Sequence, residues 1–194
     1  MGDPFCSSYY GLDSRNIERE VLDWFAELHN APKDNYWGYV TNGGTEGNMY
    51  GLYLARELYP RGVVYYSQDT HYSVSKNIRM LNMEHIMVKS RRNGEMDYND
   101  LHDMISTWRS APPIIFANMG TTMKEGFDDI DQIKKVLNKL AIPEYYIHVD
   151  AALGGMTLPF IDGSPKFDFT TGVQSLSISG HKMIGSPIPC GIVL

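Results

Sequence analysis

The sequence is short of cysteine, of long apolar runs and of positive charge, and each shortage excludes something. Cys6 and Cys190 are the two cysteines in 194 residues. They stand near opposite ends, with no CxxC or CxxH spacing, which excludes a disulfide framework or a zinc knuckle as the organising principle. The apolar runs are a handful of residues long, far below the roughly 20 that span a bilayer, so no membrane partner is expected. The first fifteen residues carry neither the basic nor the apolar stretch of a secretory signal. Lys and Arg number 17 against 23 Asp and Glu, a formal net charge of −6. Duplex nucleic acid needs the opposite balance, so it is not an expected partner either. These features describe a soluble protein of a reducing compartment, expected in the cytoplasm.

What is present suffices for one domain with a real core: 43% of residues are apolar and 21% charged, with no long like-charged run, internal repeat, low-complexity tract or linker. Helical spacing predicts a first helix over 14–29, with Ile17, Val21, Trp24, Phe25 and Leu28 on its inward face. A second helix follows Gly44 through Met49, Leu52 and Leu58 and is closed by Pro60 and Gly62. Others are predicted over 72–82, over 97–108, and from Ile130 through Leu140. Short β-rich runs at 36–40, 63–66, 85–88, 113–118, 145–149, 175–179 and 190–194 give seven strands, most of them separated by single helices. That alternation implies an α/β fold, with a mostly parallel sheet covered by helices on both faces.

Ligands of such sheets bind beyond the carboxyl ends of the strands, so the residues that follow each strand carry the functional signal. They are TNGGTEGN at 41–48, DTH at 69–71, NMGTT at 118–122, DAA at 150–152 and SGHK at 179–182. Each piece has a simpler reading. NGGTEGN is a common turn with a cap, or else a place where free helix N–H groups meet an anion. It is not a Walker loop, having no Walker lysine, and it lacks the GxGxxG spacing, which disfavours a dinucleotide and leaves a phosphate on a smaller cofactor open. Asp150 ends an apolar strand, either as a structural cap or as the partner of a cationic group, an attraction of about 4 kcal/mol at an effective dielectric near 20. His148, two residues earlier, is expected on the opposite face as a core histidine, which also disfavours an iron triad with Asp150; no metal is expected. Lys182 is either a surface charge or, among small and apolar neighbours, a partly desolvated amine available for imine chemistry. His71 is a surface polar residue or a ring that stacks on a flat ligand. The eleven methionines are most simply core filling.

Taken together, HVDAA at 148–152, SGHK at 179–182, GGTEGN at 43–48 and DTHYS at 69–73 resemble the pyridoxal 5'-phosphate group II amino-acid decarboxylases. The similarity runs from GDPF at 2–5 to the last residue and is strongest to the bacterial histidine decarboxylases and the plant serine decarboxylases. The resemblance implies a fold type I large domain over 1–194, without the family's N-terminal segment and C-terminal small domain, and a homodimer acting on a small-molecule amino acid. It implies Lys182 as the amine that holds the cofactor, Asp150 as partner of the pyridine nitrogen, His71 stacked on the ring and Ala152 against its other face. It further implies Gly44, Thr45 and Ser179 as the phosphate's binding residues, with His181 beside it, and Thr122 near the ring substituents. The activity implied is decarboxylation of L-histidine to histamine. L-serine to ethanolamine, another reaction on the same core (an aminotransferase or desulfurase), or a cofactor-binding domain without turnover are the alternatives.

Overall fold

The computed structural model describes residues 3–7, 9–33 and 35–194; Gly2, which opens the GDPF stretch, lies outside the described residues. Among these residues seven strands form one sheet in the order β1-β7-β6-β5-β4-β2-β3. They are β1 (Tyr39–Thr41), β2 (Val63–Ser67), β3 (Glu84–Val88), β4 (Pro113–Asn118), β5 (Tyr146–Asp150), β6 (Ser175–Ser179) and β7 (Gly191–Val193). β2 to β6 pair in parallel, whereas β7 runs antiparallel to both β6 and β1. β1 therefore points the same way as β6, and six carboxyl ends open on one edge.

Among the described residues five α-helices cover the sheet: α1 (Arg15–Leu28), α2 (Gly44–Leu58), α3 (Ser73–Met80), α4 (Tyr98–Thr107) and α5 (Ile130–Lys139). Alternation along the central strands divides the core between the two faces. Ile114, Phe116 and Tyr146 pack with Leu52 and Ala55 of α2 and Val74 and Ile78 of α3. Ile115, Ala117, Ile147 and Val149 pack with α1, α4 and α5. The helix starts are set by local chemistry. The Asp97 carboxylate accepts from the N–H groups of Asn99 and Asp100 to cap α4, and Asp129 accepts from Gln132 to cap α5.

The mostly parallel α/β sheet agrees with the sequence expectation; its details depart in three places. The inward face of α1 is built on Leu22, Phe25 and Ala26, with Val21 and Leu28 partly buried against the core; Phe25, Val21 and Leu28 are as expected, while Ile17 and Trp24 are exposed. β1 begins only at Tyr39, and Trp37, outside it, stacks its ring on Tyr50, 5.2 Å between centroids. Between β5 and β6 the chain makes three single 3-10 turns, Gly154–Met156, Leu158–Phe160 and Phe169–Thr171. No helix among the described residues is long and apolar enough to cross a membrane.

Candidate active site

The loops after β1, β2, β4, β5 and β6 line one cavity of about 610 Å³. All nine residues singled out from the sequence face it: Gly44, Thr45, His71, Thr122, Asp150, Ala152, Ser179, His181 and Lys182.

One end of the cavity is an anion cradle. α2 begins at Gly44 with no side-chain cap on its N-terminus. The N–H groups of Glu46 and Gly47 turn back to the Gly43 carbonyl. Those of Gly44 and Thr45 have no such partner among the described residues, and unsatisfied first-turn N–H groups suit an anion. The backbone at Gly44 lies so close to β6 that a Cβ there would fall 2.7 Å from Ser179 Oγ and 3.3 Å from Ala152 Cβ. Across the cradle His181 Nδ1 lies 3.0 Å from the Cys190 carbonyl oxygen, which fixes the imidazole against β7.

The cavity also holds a carboxylate. Asp150 is buried at the tip of β5; its Oδ1 accepts from the Ala152 N–H at 3.0 Å and its Oδ2 from Asn48 Nδ2 at 2.8 Å. Burial pushes its acidity towards the neutral form. The two hydrogen bonds and the positive charge of Lys182 oppose that shift without cancelling it. Among the described residues no cation lies within ion-pair distance of Asp150. Such a group is poised for a cationic ligand.

His71 stands between β2 and α3, half-buried, its Nδ1 2.7 Å from Ser73 Oγ and 3.3 Å from the Ser73 N–H. Nδ1 accepts from that N–H, so Nε2 carries the proton of the neutral ring. Burial lowers the His71 pKa, which favours the neutral ring, and the imidazole lines the cavity. Beneath it Asn118 donates to Thr70 Oγ1 at 3.1 Å and to Asp128 Oδ2 at 3.0 Å, and burial pushes Asp128 up to about 6.

Two expectations are corrected. Lys182 is exposed, and its apolar neighbours Met183 and Ile184 are exposed too, so they do not desolvate the amine. His148 is a core histidine as read, but it does not point away from Asp150: residues two apart in a strand share a face, and both turn towards α2, where Asn48 sits between them. Asn48 and Asn118, which also line the cavity, stood inside the strand-end stretches but were given no role, and Asn77, likewise at the cavity, was not read at all. Asn48 lies inside the GGTEGN stretch, one helical turn after Gly44, and that spacing was the available signal.

Comparisons with known proteins cover the same ground. Residues 13–194 match the pyridoxal-dependent decarboxylase conserved domain. The histidine decarboxylase of Mesorhizobium japonicum is 53% identical over 194 residues, 100% of this chain and 53% of that protein. The histidine decarboxylase of Morganella morganii is 54% identical over 187 residues, 95% of this chain and 50% of that one. The crystal structure of L-methionine decarboxylase from Streptomyces sp. 590 superposes with a TM-score of 0.89 at 26% identity, over 99% of this chain and 58% of that one. The chain thus spans about half the length of the curated relatives it matches.

Proposed function

The chain belongs to the pyridoxal-dependent decarboxylase family, and on that premise we propose that it forms the cofactor-binding part of an enzyme that converts L-histidine to histamine and carbon dioxide. The observation that carries the reading is Asp150: a buried carboxylate with no cation paired to it among the described residues, lining the same cavity as an amine, an imidazole and a helix N-terminus. Those four features fit the ring nitrogen, aldehyde, flat ring and phosphate of pyridoxal 5'-phosphate, each with a group of matching chemistry.

When bound, the cofactor supplies an aldehyde for the substrate amine and a ring that takes up the electron pair left as carbon dioxide departs. The chain's own residues do the rest. Lys182 offers Nζ as the amine that holds the aldehyde between turnovers. Asp150 accepts a hydrogen bond from the ring nitrogen and so keeps a proton there, which strengthens the ring as an acceptor of electrons. His71 and Ala152 would hold the flat ring between them and Thr122 would lie near its substituents. The N–H groups of Gly44 and Thr45 and the Ser179 hydroxyl bind the phosphate beside His181. One proton replaces the carboxylate on the substrate's α-carbon, which balances the loss of carbon dioxide.

The choice of L-histidine is supported by 53–54% identity to histidine decarboxylases over nearly the whole chain. Assembly as a homodimer in the cytoplasm belongs to the same proposal and is supported by the family resemblance. Supplying the purified protein with pyridoxal 5'-phosphate and measuring amine release from L-histidine and L-serine tests it. Histamine formation bears the reading out. Ethanolamine as the main product would move the substrate to serine, and cofactor binding without either amine would favour a domain without turnover.

A further inference from the structure

We propose that Asn48, His148 and Ser175 form a positioning relay that aims the Asp150 carboxylate at the cofactor's ring nitrogen and thereby sets cofactor affinity. This rests on the role of Asp150 stated above. The relay is a chain of side-chain contacts across three elements. Ser175 Oγ of β6 lies 2.7 Å from His148 Nδ1 of β5. His148 Nε2 lies 3.0 Å from Asn48 Oδ1 of α2. Asn48 Nδ2 lies 2.8 Å from Asp150 Oδ2. Asn48, His148 and Ser175 are all buried, so water does not compete for these bonds.

The order of protons along the chain follows from its ends. An ionised carboxylate only accepts, so Asn48 must turn its NH2 towards Asp150. The Asn48 oxygen then faces His148 and must itself receive a proton, which Nε2 carries. Nδ1 is left as the acceptor of a neutral imidazole, and the Ser175 hydroxyl donates to it. Burial keeps His148 neutral, its pKa down at about 3, consistent with that single tautomer. Each group thus holds the next in one orientation, and the last of them is Asp150. If the Asn48 amide were reversed, its oxygen would face the carboxylate and repel it.

A plain fastening of α2 to the sheet would not depend on this polarity. His148 and Ser175 line no part of the cavity, so any effect they have on the cofactor passes through Asn48 and Asp150. The relay makes Asn48 and His148 positioning residues, a role that neither cofactor contact nor core packing alone requires.

The test measures the dissociation constant of pyridoxal 5'-phosphate from its absorbance change on binding, with the melting temperature of the cofactor-free protein alongside. Wild type, Asn48→Leu, Ser175→Ala, Asp150→Asn and the double variant Asn48→Leu/Asp150→Asn are compared. The relay predicts about tenfold weaker binding for Asn48→Leu, the loss of a hydrogen bond to a charged group. It predicts a smaller loss for Ser175→Ala, which deletes one atom and leaves the packing in place. Because Asn48 acts through Asp150, the double variant binds no more weakly than Asp150→Asn. Wild-type affinity in both Asn48→Leu and Ser175→Ala, or fully additive losses in the double variant, would overturn the relay while leaving the cofactor site standing. No absorbance change in wild type would instead remove the reading of Asp150 on which the relay depends.

Discussion

Gly51 is the residue that admits His148 beneath α2: a Cβ built at position 51 would lie 2.2 Å from His148 Nδ1 and 2.3 Å from its Cε1. The helix and β5 approach so closely there that the imidazole fills the space a side chain would take. Helix propensity favours alanine over glycine by about 1 kcal/mol. Overpacking a buried site costs about 1–3 kcal/mol, and here it would also break the bonds of His148 to Asn48 and Ser175. Gly51→Ala is therefore expected to lower stability by about 2 kcal/mol in urea unfolding, against the direction that helix propensity alone gives. A more stable Gly51→Ala protein would show that the imidazole is not held where we describe it.

Gly44 gives a sharper test of the anion cradle. Its added Cβ would meet Ser179 Oγ at 2.7 Å, inside the space between α2 and β6. Gly44→Ala is expected to weaken pyridoxal 5'-phosphate binding about tenfold. Pyridoxal without its phosphate, which does not use the cradle, should lose less. Equal losses for the two compounds in a spectral titration would place the phosphate elsewhere.

Two buried histidines set the response to acid. Burial pushes His29 down to about 4 from an ordinary 6.5. The unfolded chain therefore takes up a proton on this ring before the folded chain does, and stability falls as pH drops from 6.5 towards 4, by about 1.4 kcal/mol per unit. His148, pushed down to about 3, adds a loss of the same sign over its own window below 6.5. Asp128, pushed up to about 6, works in the opposite direction between 3.8 and 6. Replacing His29 by leucine removes its share. Between pH 7.5 and pH 5 the His29→Leu protein should lose about 2 kcal/mol less stability than wild type in urea unfolding. Identical losses would mean that His29 is charged or solvated in the folded state.

Much of the fold was legible because its strands announce themselves. PIIFAN and SLSIS are apolar or small runs between turn residues, and their bounds as read match β4 and β6. On α1, Val21, Phe25 and Leu28 face the core as read, but Ile17 and Trp24 do not: they satisfy helical spacing as well as Leu22 and Ala26 do, and packing against the sheet selects between them where spacing does not. The three short turns between β5 and β6 escaped because three residues carry no period. At the site, the residues read from strand ends converge as expected, since topology brings those ends together. Asn48 escaped because its partner Asp150 is 102 positions away. An asparagine in the first turns of a helix reads, without that partner, as an ordinary polar surface residue. The exposure of Lys182 was misjudged for a related reason: apolar neighbours in sequence are not neighbours in space, and Met183 and Ile184 turn outward.

The central claim is that pyridoxal 5'-phosphate is held covalently at one lysine of the cavity. Reducing the cofactor-loaded protein with borohydride and mapping its peptides by mass spectrometry tests this directly. The account predicts a single pyridoxyl label, on Lys182. A label on another lysine, or none in protein that has bound the cofactor, would contradict it.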